Sequence, residues 1–211
     1  MKSSILAVFV LLSTLFGFSL FGSKVSTENI LAVSLQENFC KLNKYKRECR
    51  NFKQRDFFFT LHGLWPQPRN KQNCSNKIKR IDQSIWEELK IKMPGIKSGL
   101  HKHEWRKHGS CYGKDENGYF ADALKLLDEV NRSYLREFFA KNKGRVITKT
   151  QLNQAVKKAF GNVARKVQMV CKKGLITELR FSLKGRVDKH SLNELLKDAK
   201  PLRGGCQRGR I

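Results

Sequence analysis

Apolar and polar residues recur along this chain at two periods, and the switches between them mark its elements. Residues 29–35, NILAVSL, make a short apolar run that predicts a buried strand. FCKLNKYKRECRNFKQRD (39–56) follows as a basic, cysteine-bounded loop or helix. FFFTLHGLW (57–65) is aromatic and β-branched, is closed by Gly63 and Pro66, and reads as a strand. Strict alternation puts Phe58, Thr60 and His62 on one of its faces and Phe57, Phe59 and Leu61 on the other. Residues 67–80 are a polar, basic loop. DQSIWEELKIKM (82–93) opens on a candidate N-cap, Asp82, and carries Ile85, Trp86 and Leu89 at helical spacing before Pro94 and Gly95 end it. A short helix is predicted over 101–109. GYFADALKLLDEVN (118–131) sets Phe120, Ala123, Leu124 and Leu127 on one helical stripe, and SYLREFFAKNKG continues helically to Gly144. TKTQLNQAVKKAFG (148–161) is a further helix, capped by Thr148 or Thr150 and stopped by Gly161. RKVQMVC and LITELRFSLKG read as strands, and period two puts Leu175, Leu179, Phe181 and Leu183 on one face of the second. Helices mixed with separated strands, without regular βαβ alternation, predict an α+β fold.

A length of 211 residues suits one domain with a real core. Its first stretch has a different purpose. Lys2 precedes the apolar run ILAVFVLLSTLFGFSLF (5–21), and the small residues Gly22 and Ser23 follow, the pattern of a cleaved secretory signal peptide. The run is short and slightly polar for a membrane anchor, which needs about 20 apolar residues. The expectation is a leader over 1–23, cleavage between Ser23 and Ser34, a domain over 24–211, a secreted or periplasmic location and no stable membrane anchor. Six cysteines, Cys40, Cys49, Cys74, Cys111, Cys171 and Cys206, agree with export and predict three disulfides in one of fifteen pairings. None has the CxxC spacing of a zinc ribbon or a thioredoxin-like motif.

Charge changes the picture most. Lys and Arg number 43 against 18 Asp and Glu, a formal net charge of +25 that falls only to +24 when Lys2 leaves with the leader. Soluble small domains usually carry a magnitude of about 2–8. An excess this large opposes folding by self-repulsion and points to a polyanionic partner, though charge alone does not say which.

The densest chemistry lies in HEWRKHGSC (103–111). Zinc proteases use H-E-x-x-H, with both histidines on one helix face. Here the spacing is H-E-x-x-x-H, and on a continuous helix five residues rotate about 140°, so His103 and His108 point apart and no metal site is expected. Relative to His103, Lys107 would lie about 40° round and Glu104 about 100°. His103 with Lys107, and Glu104 with His108, are i, i+4 pairs on one broad face. That face suits a tetrahedral anion beside a proton-exchanging imidazole. A solvated charged helix explains Arg106 and Lys107 equally well but not Trp105 or Cys111. His62 favours chemistry, because it sits where Gly63 and Pro66 end an otherwise apolar strand, and strand ends are where sites collect.

The blocks FTLHGLWPQ (59–67) and HEWRKHGSC (103–111) resemble, in order and in several identities each, the two signatures of the ribonuclease T2 family of secreted endoribonucleases. The resemblance extends to LAVSLQENFC and KRECR before the first block, to CYGKDENGYF after the second, and to the late cysteines. It implies a central, mostly antiparallel sheet with flanking helices. It implies His62 and His108 as the acid–base pair and His103 as a phosphate-binding residue. Glu104 and Lys107 would polarise the phosphate and stabilise the pentacoordinate state, with Trp65 and Gln67 at the base. It implies bonds joining Cys40 to Cys49, Cys74 to Cys111 and Cys171 to Cys206. Leu35, Arg106, Gln67 and GLHK (99–102) depart from the family pattern; Leu35 implies a packing change, and Gln67 means that base preference does not carry over.

The chemistry implied is metal-independent, cofactor-free cleavage of single-stranded RNA, with little base specificity, by a monomeric protein. The 2′-oxygen attacks phosphorus to give a 2′,3′-cyclic phosphate, which water can open to a 3′-phosphate. His108 is expected as base and His62 as acid. DNA lacks the 2′-OH and is not a substrate for such a machine. The competing expectation is an inactive cationic protein that binds RNA or membranes without cleaving.

Overall fold

Three strands that share an apolar core face and carry a mixed face on the other side make the platform of this molecule. They are β1 (Glu28–Ser34), β2 (Thr60–Pro66) and β5 (Leu175–Lys184). The structure is a computed structural model describing residues 24–211, so the expected leader lies outside the described residues. The remaining strands are β3 (Val146–Thr148), β4 (Val167–Lys172) and β6 (Arg208–Arg210). The helices are α1 (Gln36–Leu42), α2 (Gln83–Lys92), α3 (Leu100–Lys107), α4 (Glu116–Arg132), α5 (Tyr134–Lys141), α6 (Lys149–Phe160) and α7 (Leu192–Lys197). The sheet runs β2-β1-β5-β6-β3, with β4 also paired to β5. Every pairing is antiparallel except the single β5–β6 contact. The expected α+β architecture, a mostly antiparallel sheet with flanking helices, is the one observed.

Register assigns the faces. Leu31 pairs with Leu64 and Phe181, and Val33 with Leu61 and Leu179, so these six share the core face. Helix α4 covers it with the expected stripe: Phe120, Ala123 and Leu127 are fully buried and Leu124 nearly so. Burying each of the Phe and Leu side chains contributes roughly 1.5–3 kcal/mol before the entropy of ordering is subtracted. The opposite face carries Thr60, Ser34 and Glu178 in one row, and Gly63, Ala32 and Arg180 in the next. A third row holds Trp65, Ile30 and Ser182.

Several boundaries differ from expectation for local reasons. Strand β2 starts at Thr60, and Phe57 and Phe59 instead stack edge-on with each other, while Phe59 also meets Phe139 of α5 edge-on. The helix through 118–144 is two helices, because the Ser133 side chain accepts from the Leu135 N–H and caps a new one. The predicted helix over 101–109 runs from Leu100 to Lys107, so His108 lies beyond it. Leu175 is only half-buried and Ile176 takes its place in the core, because Val170 opposes Glu178 while Cys171 opposes Ile176, leaving Thr177 as an extra residue in β5. Helix α6 is capped by Thr148, in a box with Gln151, and ends at Gly161.

The three disulfides are Cys40–Cys49, Cys74–Cys111 and Cys171–Cys206, the scheme the resemblance implied. Among the described residues no helix is long and apolar enough to cross a membrane. One polar clamp sets where β2 begins. The Asn131 carboxamide, near the end of α4, accepts from the Phe59 N–H at 2.8 Å and donates to the Phe59 carbonyl at 2.9 Å. Asn131→Ala leaves both buried groups without partners, so unfolding free energy falls by about 2 kcal/mol. Urea denaturation followed by circular dichroism reads this as a lower midpoint with an unchanged native spectrum.

Candidate active site

The site starts from an irregularity in β2. Ala32 opposes Gly63 and Val33 opposes Leu61, which leaves His62 with no partner across the ladder, a β-bulge. Under strict alternation His62 and Trp65, three residues apart, would face opposite sides of the sheet. The bulge turns both toward one side, and their rings meet edge-on with centroids 5.4 Å apart.

Helix α3 crosses this side. Glu104 is 1 % exposed, and its Oε2 accepts from Trp65 Nε1 at 2.8 Å while Oε1 lies 3.7 Å from His62 Nε2. That approach requires glycine at position 63, since a Cβ there would stand 2.0 Å from Glu104 Oε2 and 2.7 Å from Trp65 Nε1. Trp105, one residue on, turns into the core, which the solvated-helix reading left unexplained, and its Nε1 donates to the Lys77 carbonyl at 2.7 Å. This bond and the Cys74–Cys111 disulfide hold the 67–80 loop against the end of α3. His108 is the C-cap of α3, with φ −124° and ψ −55°. The rotation of about 140° expected for a continuous helix therefore does not describe it. Its ring instead lies 5.5 Å from the Trp65 centroid.

Every site residue expected from the sequence meets here. His62, Trp65, Gln67, His103, Glu104, Lys107 and His108 line one cleft of about 480 Å³, joined by Arg69, Gln72 and Arg180. A neighbouring cavity of about 560 Å³ shares His62 and His103 with it and continues past Leu100, Gln36, Phe39 and Lys46. Among the described residues no three His, Cys, Asp or Glu side chains gather as a metal-binding group.

Besides Arg69 and Gln72, two participants on β5 escaped the sequence reading. Glu178 and Arg180 are polar alternates on β5, opposite its core face. Glu178 Oε2 contacts His62 Nδ1 at 2.5 Å, and its Oε1 accepts from Arg180 Nε at 2.5 Å. The Arg180 guanidinium in turn stands 5.1 Å from the Trp65 ring centroid. A glutamate inside a strand whose other face is apolar was the available signal. What it partners depends on strand register, which no local pattern gives.

These contacts separate the proton affinities of the imidazoles. Burial resists charge on His62, but the hydrogen bond and charge of Glu178, with the charge of Glu104, outweigh it and hold its pKa above 6.5. His108 has no such carboxylate. Burial, reinforced by Lys107, His103 and His62, pushes it down to about 4. His103 is lowered by burial and then by Lys107 and His62. The carboxyls diverge as well. Burial raises Glu104 despite His62, the Trp65 N–H and Lys107, whereas for Glu178 the hydrogen bond and charge of His62 and the nearby Arg180 overcome burial and lower it. The two imidazoles of the cleft thus differ in proton affinity, His62 holding its proton to higher pH than an ordinary imidazole and His108 losing its own near pH 4.

Residues 29–194 match the model of the Ribonuclease T2 family, and the chain belongs to that family. It is an endoribonuclease. Among its relatives it is similar to Ribonuclease I of Escherichia coli strain K12, with 26% identity over 198 residues covering 74% of each chain. It is also similar to Ribonuclease Rh of Rhizopus niveus, 26% identical over 215 residues covering 83% of this chain and 88% of that one. In fold it resembles the self-incompatibility-associated SF11-RNase of Nicotiana alata, with a TM-score of 0.63 and 21% identity over 86% of this chain and 95% of the other.

The electrostatic arrangement has a direct spectroscopic consequence. In wild-type protein the His62 and His108 ring protons titrate apart, His108 near pH 4 and His62 above 6.5. Glu178→Gln removes the bond and charge that raise His62 while its burial remains, so His62 titrates at lower pH. NMR titration of both proteins checks the shift. An unmoved His62 contradicts the account.

Proposed function

We propose that this cleft cleaves single-stranded RNA by internal transesterification, with His108 as general base and His62 as general acid. Two imidazoles in one cleft, one bonded to Glu178 and the other beside Lys107 with no carboxylate partner, are the observation that carries this reading. His108 removes the 2′-OH proton and the 2′-oxygen attacks phosphorus. The bond from phosphorus to the 5′-oxygen breaks, and His62 protonates that oxygen as it leaves. The products are a 2′,3′-cyclic phosphate and a free 5′-OH. Water then opens the cyclic ester to a 3′-phosphate with the two histidines in exchanged roles. His103 and Lys107 bind the phosphate. Lys107 stabilises the charge that grows on the phosphorane oxygens, and Glu104, held by the Trp65 N–H beside His62, polarises the phosphate.

The same roles orient the strand. The nucleoside that supplies the 2′-OH lies by His108, with its base against Trp65 and Gln67. The departing nucleoside lies by His62, in the larger adjoining cavity. Stacking on an indole is sequence-tolerant, which supports little base specificity. No step requires a metal ion or a cofactor. Residues 24–211 act as one exported, monomeric domain, secreted or periplasmic, once a leader over 1–23 is removed.

His62→Ala and His108→Ala each lower cleavage of single-stranded RNA by at least about 100-fold, the usual scale of acid–base assistance. Both variants keep the native circular-dichroism spectrum, and excess EDTA leaves wild-type activity intact. Full activity in either variant, or activity lost to EDTA and restored by zinc, sinks the assignment. In the pH profile, kcat/KM rises through about pH 4 as His108 loses its proton and falls above 6.5 as His62 loses its own. Glu178→Gln draws the falling limb to lower pH and leaves the rising limb in place.

A further inference from the structure

The segment 41–55 carries seven cations, Lys41, Lys44, Lys46, Arg47, Arg50, Lys53 and Arg55, against one acid, Glu48. That acid is 5 % exposed and turned inward, where it accepts from the Ser98 hydroxyl. Lys41 donates to Asn38, and none of the other six forms an ion pair among the described residues. Within this stretch Tyr45, between Lys44 and Lys46, is 94 % exposed, the most exposed large hydrophobic residue described. The stretch is also prefolded. The Cys40–Cys49 disulfide closes residues 40–49, and Asn43 Nδ2 donates to the Phe39 carbonyl at 2.8 Å.

The segment adjoins the route of the substrate. Asn43 and Lys46, on either side of Tyr45 in sequence, both line the cavity next to His62. A second basic patch, with Lys79, Arg80 and Lys102 beside Trp86, shares no residue with that cavity or with the cleft.

From this continuity we propose that residues 44–50 form a binding track for RNA on the 3′ side of the cleaved bond, in which Tyr45 stacks a base and Lys44, Arg47 and Arg50 meet the phosphates. The direction rests on the cleavage reading above, which puts the departing nucleoside by His62. Unpaired cations gain most from a phosphate backbone, since each neutralised phosphate releases counterions. An exposed ring between cations is the arrangement that single strands use for stacking. A stapled loop also loses little conformational entropy on binding.

The test uses strands with a single ribonucleotide, which fixes the cleavage point. A dinucleotide is compared with the same pair extended by four deoxynucleotides on the 3′ side, and separately on the 5′ side. The wild-type protein gains kcat/KM on 3′ extension. Tyr45→Ala loses about five-fold or more of that gain. Lys44→Gln with Arg47→Gln lowers it and reduces the salt slope by about 0.7 for each phosphate left without its cation. Dinucleotide cleavage stays unchanged in all variants. No gain from 3′ extension, a gain only from 5′ extension, or variants that keep the gain would each overturn the track. Fluorescence anisotropy with the uncleavable all-deoxy form of the 3′-extended strand makes the same comparison without turnover. An inactive enzyme whose variants still bind this strand more weakly therefore indicts the cleavage mechanism alone, and equal binding by all proteins refutes the track. Variants weakened on phosphatidylglycerol vesicles but unchanged on the extended strand would make the patch a membrane contact and also refute it.

Discussion

A single unpaired residue in an edge strand is the constraint on which the rest of this site depends. The bulge at His62 keeps Leu61 and Leu64 in the core while turning His62 and Trp65 together toward α3. Without it the imidazole and the indole would part to opposite faces of the sheet. With it, Glu104 can reach both rings, but only because Gly63 leaves the space between them empty. The core below and the cleft above therefore rest on the same seven residues of β2. The clamp of Asn131 on Phe59, and the paired bonds of Tyr119 Oη with the backbone of Leu64, fix that strand from the α4 side.

Electrostatics derives from this placement. A buried imidazolium is costly unless a carboxylate answers it. His62 has two such partners, from β5 and α3, whereas His108, at the end of α3, faces Lys107 and other imidazoles. The asymmetry arises from which element each histidine sits on, so the proposed acid and base differ in proton affinity before any substrate arrives. Around this balanced centre the surplus of cations lies outward, where it can meet a polyanion without disturbing the buried pairs.

Much of this was legible in the sequence, for a physical reason. His62, Trp65 and Gln67 fall within one strand and its exit, and His103, Glu104, Lys107 and His108 within one helix and its cap, so short motifs carry them whole. The stripe of α4 was legible because burial imposes a period of 3.6 residues on it, and α6 was legible from the residues that cap and stop it. Glu178 and Arg180 were not, because their neighbours are set by the β1–β5 register, 116 residues from His62 in the case of Glu178. Both bulges escaped as well, since alternation assumes regular pairing, and this is why Leu175 was expected in the position Ile176 holds. β3 and β6, three residues each, are too short to show a period. The end of α3 before His108 turns on a backbone change of one residue.

The clamp between Asn131 and Phe59 bears on how this chain can be made. Asn131, Arg132 and Ser133 spell an acceptor triplet for N-linked glycans. A trans secondary amide carries its carbon substituent on the same side as the carbonyl oxygen. That is the side from which the Asn131 carboxamide grips Phe59 through both its oxygen and its nitrogen. A sugar at this nitrogen would occupy the place of the Phe59 carbonyl, so a chain glycosylated at Asn131 cannot keep the clamp that seats β2.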